Sequence, residues 1–216
     1  FEPEEKIGIT PEITAALCNR DSGIGAGGLS RMAKRNGKWL MEYRNADGSM
    51  AEMCGNGIRV MARYLVVNGH QKEGIFPIDT RDGLKHLKVP LSGDITVNMG
   101  QLTIEDEEVV VTVGNQTWNG YNISIGNPHA VVFVESIADA GDLKLAPQVS
   151  PVDAYPDGVN VEFVEFSGDR ELKMRVFERG VGETKSCGTG TCAVALAARL
   201  KRGERRPATL VIFPPG

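Results

Sequence analysis

The sequence predicts an α/β (α+β) protein of two pseudo-symmetric domains, each with mixed or antiparallel strands wrapped around a central helix, and an active site in the cleft between them. Three observations predict this fold: short strand-like runs dominate the chain, only three stretches have helical patterns, and two of these helices follow the same motif. The chain of 216 residues also contains 26 Gly and 11 Pro. This composition favours many turns and short strands over a helical bundle.

Eight short runs are predicted to be strands because they are rich in Val, Ile and Phe and are separated by turn-forming residues. They are residues 40–43, 86–89, 95–98, 109–113, 130–134, 161–166, 172–177 and 209–213.

The three predicted helices differ in pattern. The first covers residues 10–18, with Pro11 at the first helical position behind a Thr10 cap. The second follows residues 53–57 and runs to about residue 69, with one apolar stripe. That stripe consists of Ile58, Met61, Ala62, Leu65 and Val66. The third follows residues 186–190 and runs to about residue 203. From Thr191 to Ala198 it carries no charge and is small and apolar on every side, as expected of a helix enclosed by a sheet.

The last two helices form an internal repeat. Each begins after Cys-Gly-(Asn or Thr)-Gly, with the cysteine at Cys54 or Cys187. The spacing is far too long for a solenoid, and it indicates two similar halves. We therefore predict two half-domains, residues 1–102 and 103–216, each containing one of these helices.

The four cysteines are Cys18, Cys54, Cys187 and Cys192. In a chain of this length without a secretory leader, a disulfide framework is the less favoured interpretation. There is no Cys-x-x-Cys pair and the histidines lack ligand spacing, so no metal site is predicted. Reactive thiols and buried small hydrophobic residues remain, and Cys18 and Cys192 are predicted to be core because they lie inside helical patterns.

A cysteine directly before a helix has an unusual electrical position. The first N–H groups of the helix lack partners, and the helix dipole places about half a positive charge there. This predicts a lowered thiol pKa at Cys54 and Cys187. The Gly-x-Gly that follows lets backbone amides approach an anion such as a carboxylate.

Two such positions facing each other suit inversion of a carbon centre. One thiolate removes a proton from Cα, and the opposite thiol delivers a proton to the other face. Negative charge then moves onto the substrate carboxylate, where the amides stabilise it.

The sequence argues against several other classes of protein. The net charge is −4 without a basic stripe, which argues against nucleic-acid binding. No apolar run approaches the roughly 18 residues of a membrane span. The glycine cluster at residues 23–28 is predicted to be a tight turn, and neither cysteine motif has Walker or dinucleotide spacing. No secretory signal is visible, so a cytoplasmic location is expected; the chain opens at Phe1 without Met, so an earlier N-terminus is expected too.

At several motifs the sequence resembles the diaminopimelate epimerase family. In chain order these are Asn45-Ala46-Asp47-Gly48-Ser49, Met53-Cys54-Gly55-Asn56-Gly57, Gly126-Asn127-Pro128-His129, Gly158-Val159-Asn160-Val161, and Glu178-Arg179-Gly180-Val181-Gly182-Glu183-Thr184, which leads into Ser186-Cys187-Gly188-Thr189-Gly190. Their order and spacing fit the family, and together they span most of the chain.

The resemblance implies interconversion of LL- and meso-2,6-diaminopimelate without cofactor, in bacterial lysine and peptidoglycan precursor biosynthesis. It implies that Cys54 and Cys187 are the two acid/base thiols. The substrate α-carboxylate would be bound by the amides of Gly55, Asn56, Gly188 and Thr189. Small-molecule diaminopimelate is the partner implied, and a homodimer is compatible with it; no nucleic acid or membrane is involved.

The same resemblance assigns further site residues. Substrate contacts, largely to the distal end, would come from Asn45, Asn127, Asn160 and Arg179. Glu178 would bind the α-ammonium or tune a thiol, and His129 would lie near one thiol and shift its pKa.

The chain departs from the family in two respects. The family has an N-terminal strand and turn with another substrate-binding Asn, and further C-terminal strands, and the chain is expected to lack both. The glycine cluster usually carries an Asp where Gly27 stands.

Three alternatives stay open. A proline racemase-like enzyme shares the paired Cys-Gly motifs, but Asn45, Asn160 and Arg179 favour a longer, doubly zwitterionic substrate. A relative of the phenazine-pathway isomerases would lack the thiol pair. A thiol redox or binding protein would use a Cys54–Cys187 disulfide, which in an epimerase would be a reversible off switch.

Overall fold

The computed structural model describes residues 8–215. It contains two β-sheets, each of which packs against one helix. The chain divides into two compact units, the first ending at Gly100 and the second beginning at Gln101. The mixed α/β class predicted from the sequence is confirmed. The predicted boundary between half-domains after residue 102 stays a prediction.

The first unit contains two helices and a six-stranded sheet. Its elements are α1 (Pro11–Cys18), β1 (Gly28–Arg35), β2 (Lys38–Asn45), β3 (Met50–Ala51), α2 (Gly55–Val67), β4 (Gly74–Thr80), β5 (Gly83–Val89) and β6 (Thr96–Val97). The sheet order is β1-β2-β4-β5-β6, with β3 paired to β2. Among the described strands of this unit, only β2 and β4 are parallel, and α2 provides the crossover that a parallel pair requires.

The first helix of this unit begins as predicted, whereas α2 begins at Gly55, inside the motif that was predicted to precede it. Thr10 caps α1 by accepting a hydrogen bond from the backbone N–H of Ile13, and Pro11 follows at the first helical position. The apolar stripe predicted for α2 is fully buried and packs on side chains of the sheet that include Met41 and Ile78. This contact forms the core of the first unit.

The second unit has a nine-stranded sheet. Its elements are β7 (Thr103–Ile104), β8 (Val109–Val113), β9 (Gln116–Ser124), β10 (Pro128–Phe133), a 3-10 helix (Ile137–Ala140), β11 (Gln148–Ser150), a second 3-10 helix (Val152–Ala154), β12 (Asn160–Phe166), β13 (Glu171–Glu178), β14 (Gly182–Thr184), α3 (Gly188–Lys201) and β15 (Val211–Phe213). The order is β11-β8-β9-β10-β12-β13-β14, with β15 on β13 and β7 on β9.

Both faces of this second sheet are buried. Val131 and Val164 lie on the face against α3, while Val132 and Phe163 lie on the face covered by the segment with the 3-10 helices. Strands β10 and β12 therefore have almost continuous burial instead of alternation. No residue of α3 from Gly188 to Arg199 is fully exposed, in line with the prediction of an enclosed helix.

The internal repeat extends well beyond the Cys-Gly motifs. In the first unit β1 and β2 form an antiparallel hairpin, β3 pairs with β2, and β4 follows α2 and lies parallel to β2. In the second unit β12, β13, β14, α3 and β15 have the same order and the same pairing directions. The two cysteine motifs thus occupy the same place in a repeated strand–helix–strand arrangement.

All eight predicted strand runs overlap observed strands. The glycine cluster, predicted to be a tight turn, lies in the connection that follows the turn at residues 20–22, and its last residue, Gly28, begins β1. The structure adds seven strands that the sequence patterns did not predict: β1, β3, β4, β7, β9, β11 and β14. Among residues 8–215, no helix combines the length and apolarity needed to cross a bilayer.

We expect Leu65→Ala to lower the free energy of unfolding of the first unit by about 2–5 kcal/mol, because the Leu65 side chain is fully buried. Val67→Ala is the matched control on the same helix, since Val67 is 63% exposed, and it should change stability by less than about 0.5 kcal/mol. Urea unfolding followed by Trp39 fluorescence in a Trp118→Phe background measures both. Equal losses in the two variants would contradict the packing described here.

Candidate active site

Cys54 caps the N-terminus of α2 with its sulfur. The residue has an extended backbone (φ −133°, ψ 111°), and Sγ accepts a hydrogen bond from the N–H of Gly57 at 3.3 Å. The side chain is partly exposed. A sulfur in this position lies beside the unpaired N–H groups at the positive end of the helix dipole.

Cys187 caps α3 in the same way. Its backbone angles are φ −123° and ψ 116°, and Sγ accepts from the N–H of Gly190 at 3.4 Å. A second contact joins Sγ to Oγ1 of Thr189 at 3.4 Å. In contrast to Cys54, Cys187 is buried, with 6% of its surface exposed.

The second glycine of each motif lies close to a side chain from a neighbouring strand, and the space is tighter at Gly190 than at Gly57. A Cβ added to Gly57 would lie 3.2 Å from the ring of Tyr43, and one added to Gly190 would lie 2.5 Å from Oε1 of Glu162. In both cases the cysteine Cβ is the next neighbour, at 3.3 Å. The Gly-x-Gly pattern therefore allows a strand side chain to lie directly against the first turn of the helix.

Burial raises the pKa of Cys187 to about 12, and the nearby carboxylates of Glu178 and Glu162 add to the increase. Hydrogen bonds from Thr189 and Gly190 act in the opposite direction but are weaker. The lowered pKa predicted from the helix dipole is thus wrong for Cys187. The prediction considered only the local helix terminus, whereas loss of hydration penalises the thiolate more strongly.

Glu178 lies at the end of β13 and accepts a hydrogen bond from the hydroxyl of Thr184. Burial raises the pKa of Glu178, although this hydrogen bond, the charge of His129 and a hydrogen bond with Cys187 lower it. The structure therefore places Glu178 beside the Cys187 thiol. Its predicted contact with the substrate ammonium stays a prediction.

His129 belongs to a polar network in which His129 and Glu162 are fully buried and Asn127 is partly buried. Its Nδ1 lies 2.7 Å from Oε1 of Glu162, and its Nε2 lies 3.2 Å from Oδ1 of Asn127. Nδ2 of Asn127 in turn donates to Oγ1 of Thr189 at 3.3 Å. His129 is thus connected to Cys187 through two intervening side chains instead of touching the sulfur.

Asn160 is almost fully buried, and backbone groups use both ends of its amide. Nδ2 donates to the carbonyl of Pro128 at 3.0 Å, and Oδ1 accepts from the N–H of Arg179 at 2.9 Å. Asn160 therefore joins β10 and β12 to the end of β13 and holds the backbone of Arg179. The substrate contacts predicted for Asn160 and Arg179 stay predictions.

The remaining predicted site residues of the first unit lie near the ends of β2 and α2. Nδ2 of Asn45 donates to Oγ of Ser49 at 3.1 Å within the turn that follows β2. Oδ1 of Asn56 accepts from Arg59 on the surface of α2, and Gly55 is buried at the start of the helix. The substrate contacts predicted for these residues stay predictions.

The other two cysteines lie away from the helix N-termini. Cys18 is buried at the end of α1, and Cys192 is partly buried inside α3, where burial raises its pKa. All four cysteines are free thiols. Across residues 8–215, the His, Cys, Asp and Glu side chains form no group of three that could hold a metal ion.

Sequence analysis did not single out Glu162 or Thr184. Glu162 falls within the run of residues 161–166 that was predicted to be a strand, and both its neighbours, Val161 and Phe163, are buried apolar residues. A carboxylate inside a strand buried on both faces is itself an indication of function, because it requires a polar partner. The position of Thr184 against Glu178 depends on strand pairing and has no local sequence signal.

The family model and the similar proteins that match this chain carry the same family description. A family model described as diaminopimelate epimerase matches residues 2–105 and 121–216. The chain is 46% identical to a diaminopimelate epimerase of Streptomyces coelicolor, over 100% of this chain and 80% of that protein. It is 38% identical to one of Corynebacterium glutamicum, over 100% and 83% of the two chains.

More distant solved structures share the fold. A probable proline racemase from Agrobacterium radiobacter has a TM-score of 0.69 at 18% identity, over 94% of this chain and 70% of that chain. A hydroxyproline epimerase from Agrobacterium vitis gives 0.67 at 18% identity, over 91% and 66%. A PhzF-family phenazine biosynthesis protein from Bacillus anthracis gives 0.59 at 14% identity, over 89% and 71%.

We expect Glu178→Gln to lower the pKa of Cys187, because it removes a carboxylate whose charge opposes the thiolate. Below the pKa, the rate of alkylation follows the thiolate fraction. Iodoacetamide should therefore modify Cys187 at least about threefold faster at a fixed mildly alkaline pH. Glu183→Gln, at an exposed carboxylate on β14, is the control, and an unchanged rate in Glu178→Gln would contradict the assigned cause.

We expect Gly190→Ala to destabilise the protein by about 1–3 kcal/mol, because the new Cβ would displace a carboxylate held by His129. Gly57→Ala should cost less, since the Tyr43 ring needs to move only a few tenths of an ångström. Chemical denaturation of both variants measures the difference. In a Glu162→Ala background the cost of Gly190→Ala should shrink, and strictly additive effects would count against this contact.

Proposed function

The chain belongs to the diaminopimelate epimerase family and is an isomerase that acts on diaminopimelate, and from this premise we propose that Cys54 and Cys187 interconvert its LL and meso forms by proton transfer at Cα. The observation that carries the proposal is the repeated geometry of the two cysteines. Each cysteine has the same extended backbone conformation, and each sulfur caps a helix by accepting a hydrogen bond from the glycine three residues later.

The proposed chemistry needs one base and one acid. A thiolate takes the α-proton and becomes a thiol, leaving a carbanion at Cα, and the opposite thiol donates its proton to the other face and becomes a thiolate. Each turnover therefore exchanges the protonation states of the two cysteines. No electrons are transferred, so these steps require no redox cofactor.

The surroundings of Cys187 favour its thiol form in the free enzyme. Because the pKa of Cys187 is raised to about 12, it is protonated at neutral pH and is suited to donate the proton. We therefore assign the first proton abstraction to Cys54. In the reverse direction, Cys187 becomes the base.

The carbanion is stabilised by moving charge to the α-carboxylate. The N–H groups at the starts of α2 and α3, including those of Gly55, Asn56, Gly188 and Thr189, are the proposed donors. A helix N-terminus offers such groups together with the positive end of the dipole. One preorganised donor is typically worth about 3–4 kcal/mol to a transition state with developing negative charge.

The distal amino-acid group of the substrate needs its own contacts. We assign these to Asn45, Asn127, Asn160 and Arg179, and Glu178 to the α-ammonium. Arg179 fits a carboxylate because its planar guanidinium donates two parallel hydrogen bonds.

We place this activity in the cytoplasm, in the synthesis of lysine and peptidoglycan precursors. A second copy of the chain is the proposed assembly partner. Size-exclusion chromatography with light scattering measures the assembly directly.

Replacing either cysteine should abolish epimerisation. Cys54→Ala and Cys187→Ala each remove one proton donor or acceptor, and loss of a general acid or base costs about 10²–10⁴-fold in rate. Incorporation of solvent deuterium at Cα of LL-diaminopimelate, followed by mass spectrometry, measures the reaction. Cys18→Ala and Cys192→Ala are matched controls that should retain activity.

Two results would contradict this function. Epimerisation at close to the wild-type rate in Cys54→Ala or Cys187→Ala excludes the two-thiol mechanism. Deuterium exchange into proline but not into diaminopimelate would assign the site to a proline racemase-like reaction.

A further inference from the structure

Glu162 is a buried acid that the proposed proton transfer does not use. It lies on β12, and its surface is fully inaccessible. Oε1 contacts Nδ1 of His129 at 2.7 Å and lies directly against Gly190 in the first turn of α3. Oε2 has no hydrogen-bond partner among the described residues, although it is buried. Retaining a carboxyl group in such a place is costly, so it requires an explanation.

The donor and the acceptor can be assigned for the hydrogen bonds that lead from His129 to Thr189. Since Nδ2 of Asn127 donates to Thr189, Oδ1 is the atom of Asn127 that faces Nε2 of His129. An amide oxygen only accepts hydrogen bonds, so Nε2 must carry a proton. Nδ1 and Oε1 of Glu162 lie 2.7 Å apart, a hydrogen-bond distance, so one proton also lies between these two atoms.

The same direction continues to the sulfur. Oγ1 of Thr189 already accepts a hydrogen bond from Asn127, so the hydroxyl hydrogen is available to Sγ of Cys187, 3.4 Å away. Each donor in such a chain polarises the next one. The final hydrogen bond is strongest when the sulfur is a thiolate, because bonds to charged acceptors are about twice as strong as neutral ones.

We propose that Glu162 is a positioning residue for Cys187: it holds the imidazole of His129 so that a directed hydrogen-bond relay through Asn127 and Thr189 ends at the sulfur. This inference rests on the proposed function, because only in the proposed proton transfer does Cys187 form a thiolate that the relay would stabilise. The corresponding contact at the other motif is made by the ring of Tyr43.

Two roles of Glu162 predict opposite effects on Cys187. The ionisable groups that face the sulfur are Glu178 on β13, Glu162 on β12 and, through the relay, His129 on β10. As a charge alone, Glu162 raises the pKa of Cys187, so its removal would lower that pKa. As the support of the relay, Glu162 helps the thiolate, so its removal would raise the pKa. The direction of the change decides between them.

The first experiment compares Glu162→Leu and Glu162→Gln in the full chain. Leu cannot hold His129, and we expect alkylation of Cys187 by iodoacetamide to slow by about tenfold at a fixed mildly alkaline pH, the effect of losing one hydrogen bond to a thiolate. Gln can donate to Nδ1 and keep the same tautomer, so its rate should equal or exceed that of the wild type. Cys187 and Cys192 share the tryptic peptide of residues 186–199, and tandem mass spectrometry resolves them.

Neither loosened packing nor loss of the Glu162 charge explains a slower rate. Loosened packing would expose Cys187 and speed alkylation, and loss of the charge would also speed it. Glu165→Gln, a carboxylate on the same strand that pairs with Lys173, is the matched control and should leave the rate unchanged. An unchanged or faster rate in Glu162→Leu, or an equally slow rate in Glu162→Gln, overturns the proposal.

A second measurement uses the unaltered protein, so it does not depend on the folding of a variant. The ¹⁵N spectrum of the three histidines, with His129 assigned by its loss in His129→Asn, should show a proton on Nε2 of His129. A bare Nε2 overturns the relay. Epimerisation by Cys187→Ala would refute the two-thiol function separately, because neither the alkylation rates nor the ¹⁵N spectrum depends on turnover.

Discussion

A cysteine sulfur in place of a helix-capping oxygen is the interaction on which both halves of the proposed site depend. Helix N-termini are usually capped by Ser, Thr, Asp or Asn, whose oxygen accepts a hydrogen bond from the second or third residue. Cys54 and Cys187 make this bond with sulfur, at 3.3 and 3.4 Å. Sulfur is a weaker acceptor, so each helix relies more on the packing of its buried face. In exchange, the capping geometry fixes a nucleophilic atom beside unpaired amides.

The repeat gives the two sulfurs the same backbone but different surroundings. Tyr43 lies against the glycine that follows Cys54, whereas the buried Glu162 lies against the corresponding Gly190. Cys187 is also the more buried of the two and has Glu178 beside it. Proton transfer between two faces of a carbon needs one acid and one base at a time, so different surroundings set the resting state while the shared backbone keeps the reaction nearly symmetric.

The parts of the fold with local signals were the ones that sequence analysis predicted. Thr10 with Pro11 indicated the start of α1, and the repeated Cys-Gly motif indicated the starts of α2 and α3. Strand β4 was missed because it contains Pro77, which lacks an N–H for pairing, and β9 because it is largely polar. The site residues followed from family motifs, but the His129–Glu162 contact joins neighbouring parallel strands 33 residues apart and has no local pattern.

The error at Cys187 shows why a site cannot be assigned an electrostatic state from its motif. The helix dipole contributes about half a charge at short range, and this term can be predicted from a few residues. Loss of hydration depends on everything that covers the sulfur, here a sheet buried on both faces. The charges of two acids from different strands raise the pKa further. The second term is larger, so the pKa rises. A thiol that stays protonated until a substrate changes its surroundings is suited to the acid half of an epimerisation, and the same burial that opposes the thiolate makes each directed hydrogen bond to it stronger.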